Sequence, residues 1–131
     1  MTAPGVSADR IRLRRAYDPP VPEDGVRILV DRLWPRGVRK EAAAIDHWLK
    51  DIAPSSELRQ WFGHDPVRWP DFHRRYLEEL HGHAAGIAQL RDLARQGTIT
   101  LVFGARDEEH NNAVVLRDIL TGAGSGPSGP R

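Results

Sequence analysis

The chain contains no cysteine. That excludes disulfides, thiolate nucleophiles and any zinc site built on sulfur. An excess of one charge is lacking too. Nineteen basic and 18 acidic residues leave a formal net charge of +1, so no bulk field draws the protein to nucleic acid or to an anionic membrane. No apolar run approaches the ~20 residues of a membrane-spanning helix, and residues 1–9 hold no signal-peptide apolar segment. These absences read as a cytoplasmic protein with no membrane partner. Neither G-x-x-x-x-G-K-[ST] nor G-x-G-x-x-G occurs, so the nucleoside-triphosphate and dinucleotide folds lack their phosphate-binding fingerprints. Lysine is scarce: 17 arginines stand against Lys40 and Lys50 alone. A compact ammonium does not replace a guanidinium, so a lysine kept in such a chain carries information.

What is present fits one domain. The 131 residues suffice for an adequate core, and no repeat or internal linker divides them. Alternation at Ile11 and Leu13, then the runs Ile28–Asp31 and Thr98–Phe103, predict strands. Asp18-Pro19-Pro20-Val21-Pro22 between the first two cannot be regular structure, because proline fixes φ and removes donors. Ser55 or Ser56 should cap a helix from Glu57 to Phe62. Asp65-Pro66 should open another, with Trp69, Phe72, Tyr76, Leu77 and Leu80 on one face. A further helix spans about Ala84 to Gln96, and the last begins near Asn111. Residues 37–46 have no clear assignment, and 47–52 read equally as strand or short helix. The fold class expected is α/β: one compact domain over residues 10–121, with a mainly parallel sheet flanked by helices in a three-layer sandwich. Residues 122–131 are rich in Gly, Ser and Pro and are expected to be a disordered tail, and residues 1–9 to be frayed. The expected core is Ile28, Val30, Leu58, Trp61, Phe62, Leu77, Leu90, Leu93, Leu101, Phe103 and Leu116.

Two strand-end loops carry the polar side chains that matter most. The first offers Asp31, Arg32, Trp34 and Arg36. The second offers Arg106, Asp107, His110, Asn111 and Asn112, and leads into a helix. If the strands are parallel neighbours, both loops open on one edge of the sheet, where ligands of α/β folds usually sit. Arg32, Arg36 and Arg106 would then converge near free helix N-terminal N–H groups, an arrangement suited to phosphate or carboxylate oxygens. Lys50 could add a charge, and Trp34, between two arginines, is placed to stack. Asp31 and His110 are the candidate general acid or base. Neither loop holds Cys, Ser or Thr, so no side-chain nucleophile of those types is available. A structural alternative stays open: the same groups would pair to fix turns, with Asp107 as a helix N-cap. The histidines sit on separate elements without ligand spacing, so no metal and no cofactor is expected, and His81-Gly82-His83 reads as a surface turn.

Several of these stretches resemble one family. Tyr17-Asp18-Pro19-Pro20, Val30-Asp31-Arg32-Leu33-Trp34-Pro35-Arg36-Gly37, Trp48-Leu49-Lys50-Asp51-Ile52-Ala53-Pro54-Ser55, Leu58 to Pro66 and Arg106 to Ala113 are similar, in this order, to the YeaO-like family, the domain of unknown function numbered 488. The resemblance covers about residues 11–120. It implies a compact bacterial α/β domain and strengthens the choice of site without supplying a reaction. Members often carry Tyr-Ala before the last motif, where this chain has Phe103-Gly104-Ala105. Two functions are therefore weighed. One is an enzyme or sensor for a small phosphorylated or nucleotide-like ligand held by Arg32, Trp34, Arg36, Lys50, Arg106, Asp107 and Asn111. The other is a non-catalytic module binding an acidic protein surface or a nucleic-acid backbone. A concave pocket favours the first and a flat basic stripe the second. Oligomeric state is not legible.

Overall fold

The computed structural model describes residues 6–122. Four strands form one sheet: β1 (Ile11–Arg15), β2 (Val26–Leu29), β3 (His47–Trp48) and β4 (Ile99–Phe103). Their spatial order is β1-β4-β2-β3, and every neighbouring pair is parallel. Ile28 sits beside Leu101 and Leu29 beside Val102, so the two strand ends singled out by sequence are adjacent. All five residues of β4 are buried, as expected of an interior parallel strand covered on both faces.

Alternation along the strands sorts side chains between two layers. Ile28, Val30, Leu101 and Phe103 face the main core with the buried residues of four helices. These are α2 (Ser56–Phe62), α3 (Trp69–Leu80), α4 (Ala84–Gln96) and α5 (Asn112–Thr121). Leu29 and Val102 face the other way, where Trp34, Val38, Ile45 and Trp48 cover them. That third layer is a loop with one helical turn, α1 (Lys40–Ala43), in it. The helix expected to open at Asp65-Pro66 is split as its prolines dictate: a 3-10 turn at Pro66–Arg68, capped by the Asp65 carboxylate, leads into α3 with Pro70 in its first turn. Ser55 caps α2 through the Leu58 amide. The ambiguous 47–52 stretch resolves into β3 and a 3-10 turn at Lys50–Ile52, each too short to show a period.

Two expectations change. Val6 is buried and its N–H donates to the Leu120 carbonyl at 2.8 Å, so residues 6–9 are tied down rather than frayed. Trp61, Leu77 and Leu93 are half-buried against the core instead of inside it, whereas Tyr76 is fully buried and its hydroxyl donates to the Ile52 carbonyl. The second sheet face also hides an ion cluster. Buried Asp24 accepts from the buried Arg27 Nη1 at 2.6 Å, with Arg12 and Arg14 Nε at 3.5 and 3.9 Å. The expected Gly/Ser/Pro tail falls, from residue 123 on, outside the described residues.

Candidate functional site

Three elements meet at Asp31, just past the end of β2. Its Oδ2 accepts the Gly104 N–H at 2.8 Å, and its Oδ1 accepts from Asn112 Nδ2 at 3.1 Å. The Asn112 amide group also donates to the Val30 carbonyl at 2.9 Å, and the Trp48 indole N–H donates to the Asp31 carbonyl at 2.8 Å. The sequence puts glycine where this approach is tightest: a Cβ at residue 104 would stand 3.1 Å from Asp31 Oδ2. Burial pushes the Asp31 carboxyl above its ordinary range, although the Gly104 amide, Asn112 and the charges of Arg59 and His64 oppose the rise.

The loop after β4 winds around Asp107. One carboxylate oxygen accepts the amides of Glu109 and His110 at 2.9 and 3.0 Å, and the other lies 2.9 Å from His110 Nδ1. These contacts, the Glu109 amide foremost and the imidazole next, hold the Asp107 carboxyl below its usual value. The imidazole meets Trp69 edge-on, with centroids 5.2 Å apart. The N-cap of α5 is Asn111, whose side-chain oxygen accepts the Val114 N–H at 3.1 Å. Asp107 is therefore not the cap; its carbonyl takes the Asn111 side-chain N–H at 2.9 Å.

A cavity of about 270 Å³ opens between these loops. Asp31, Arg32, Trp34, His110, Asn111 and Asn112 line it, as do Arg59, Phe62, His64 and Phe72. Arg32 is half-buried; its Nε is shut off from solvent and has no hydrogen-bond partner among the described residues. Trp34 is already engaged: its indole N–H donates to the Val38 carbonyl at 2.6 Å, and its ring meets Trp48 edge-on at 5.4 Å. Arg36 and Arg106 are exposed and do not line the cavity. Gly37, at φ +79°, turns the chain here, and the Arg36 carbonyl accepts the Tyr17 hydroxyl at 2.9 Å. Lys50 lies elsewhere, its ammonium 4.3 Å from the Trp48 ring centre and beside a second cavity.

A family model described as "Inactive DUF488-N3 subclade" matches residues 10–125. The chain belongs to that subclade. An uncharacterized protein of Mycobacterium tuberculosis (Rv3073c) is 44% identical over 117 residues, 89% of this chain and 98% of its own. The uncharacterized protein YeaO of Escherichia coli is 44% identical over 110 residues, 84% and 96% of the two chains. No solved structure matches significantly.

This member of the DUF488-N3 subclade builds its cavity from more than strand ends. Reading the sequence for strand-end loops missed Arg59, Phe62 and His64, which come from α2 and the turn behind it. Gly63 and His64 both adopt left-handed backbone, at φ 55° and 59°, and a non-glycine residue there is uncommon. The signal was the stretch Leu58 to Pro66, which resembles the family but reads by periodicity as a plain apolar helix face. Chemically the cavity holds two guanidiniums and two imidazoles around one carboxyl. It has no Ser, Thr or Cys in its lining, and no group of three potential metal ligands occurs among the described residues. No helix among them is long and apolar enough to cross a membrane.

Proposed function

We propose that the cavity binds a small phosphorylated, nucleotide-like ligand and that the protein acts as a sensor for it rather than as an enzyme. The observation that carries this reading is Arg32. Its guanidinium lines the cavity, half-buried and with no ion pair among the described residues, which leaves its charge for an anionic ligand. Arg59 adds positive charge on the wall formed by α2, His64 behind it adds an imidazole, and Trp34, Phe62 and Phe72 offer an apolar side for a base. The description of the family as inactive, and the absence of Ser, Thr and Cys from the cavity's lining, support binding without turnover. Concavity favours a small molecule over a flat nucleic-acid or protein surface.

Calorimetric titration with inorganic phosphate, AMP and UMP tests the proposal, on wild type and on Arg32→Ala. We expect saturable binding of a nucleotide. In Arg32→Ala it should be about tenfold or more weaker, the loss typical of a hydrogen bond to a charged group, with an unchanged melting temperature. The nucleotide should be recovered intact after long incubation. Equal binding by the variant, or none by wild type, overturns the site; a hydrolysed nucleotide overturns the sensor.

A further inference from the structure

A second cavity, about 560 Å³, lies between the 3-10 turn Lys50–Ile52 and the start of α4. Its place follows from Gly86. A Cβ there would fall 2.4 Å from Ile52 Cγ2, so only glycine lets α4 ride this close to the turn. Around the opening stand Trp48, Lys50, Asp51, Ile52, His83 and Gln89. Lys50 and Asp51 are adjacent and exposed, yet neither forms an ion pair among the described residues. The ammonium rests instead over the Trp48 ring at 4.3 Å, a cation–π contact that fixes it without neutralising it. In a chain with 17 arginines and two lysines, a lysine stands at this point. An ammonium is a compact charge that can face an aromatic ring and one carboxylate together, without the fork geometry of a guanidinium. Unpaired charges of both signs thus border one cavity with an apolar back.

A simple anion would meet Asp51, and a simple cation would meet Lys50. A zwitterion meets both with the right sign. We infer that this cavity is a site for a free α-amino acid with an apolar side chain. Its carboxylate faces Lys50 and His83, its ammonium faces Asp51, and its side chain lies toward Leu49 and Ile52. The site is separate from the first cavity, but Trp48 on its edge donates its indole N–H to the carbonyl of Asp31, which lines that cavity.

The Trp48 indole N–H is also the probe. Nitrogen-15 spectra of the full chain are recorded while phenylalanine, phenylalanine amide and N-acetylphenylalanine are added in turn. Phenylalanine should shift the Trp48 signal saturably, and each singly charged analogue should bind about tenfold more weakly. Lys50→Gln should abolish the preference for phenylalanine over its amide. Asp51→Asn should abolish the preference over the acetylated form. Both positions are exposed, and unchanged melting temperatures confirm that both variants fold. Absence of saturation, equal binding of all three compounds, or unaltered preferences in both variants overturns the inference. So does binding that falls in Arg32→Ala and not in Lys50→Gln, which puts the amino acid in the first cavity and leaves the anion reading there standing.

Discussion

Asp31 and Asp24 are both held by several donors, but the balance of burial against charge differs. At Asp31 burial outweighs the Gly104 amide, Asn112 and the neighbouring cations, so the folded carboxyl titrates above its ordinary value of 3.8. At Asp24 burial also acts against ionisation. The Val21 amide, the hydrogen bond from Arg27 and the charges of Arg27 and Arg14 outweigh it, so that carboxyl titrates below 3.8. Linkage makes the two opposite in sign. The Asp24 contribution is present above the ordinary carboxyl value and is lost as pH falls through its folded value. The Asp31 contribution is full below 3.8 and is lost as pH rises through its raised folded value. We therefore expect the unfolding free energy of wild type, minus that of Asp31→Asn, to decline as pH climbs from 3.8 through that value and then to level off. Urea denaturation of both proteins at a series of pH values measures it. A difference that rises over this window would mean that hydrogen bonding, not burial, governs Asp31.

The start of α5 does two jobs, and one residue serves both. Asn111 caps the helix through the Val114 amide and ties the preceding loop down through the Asp107 carbonyl. Asn111→Ala should cost about 1–2 kcal/mol, the usual loss for an N-cap, read from denaturant midpoints. It should also broaden the His110 ring signals, because the loop that orients that ring loses its anchor. Unchanged stability would show that the cap is not what holds the loop. Much of this element was legible. An apolar β-branched run, a break at Gly104 and an asparagine before renewed periodicity announce a strand, a loop and a capped helix. The ends of β2 and β4, and Asp31, Arg32 and His110 beside the cavity, follow from the same pattern. The rest was hidden for definite reasons. Arg59 and His64 reach the cavity because Gly63 and His64 turn back in left-handed backbone, which periodicity does not register. Arg36 and Arg106 carry the same charge as Arg32 in the same kind of loop, and only the turn at Gly37 and the winding around Asp107 separate exposed from inward. The pair β3 and Lys50–Ile52 is too short for a period of two or 3.6 to appear.

At the scale of the molecule the two faces of the sheet are unequally built. Four helices pack their apolar sides on one face, whereas residues 31–46 close the other with a loop, one helical turn and a few side chains around Leu29 and Val102. Backbone hydrogen bonds in that layer are sparse: Val38 to Pro35 at 3.3 Å and Asp46 to Arg27 at 2.8 Å are among them. Regions with few buried apolar contacts open at a lower free energy than the core, and each 1.4 kcal/mol of difference is about a factor of ten in exchange protection. The first cavity is walled partly by this layer, through Arg32, Leu33 and Trp34, so the more sparsely packed face also borders the site. Amides of β4 and β2 should therefore exchange with the slow rate of global unfolding. Those of residues 32–45 should exchange at least about a hundredfold faster through local opening. A nucleotide that binds at Arg32 should slow exchange at residues 32–34 well before it affects β4. Native-state hydrogen exchange resolved by residue decides this. If residues 32–45 are protected as fully as β4, the loop layer is part of the cooperative core, and access to the cavity does not depend on its opening.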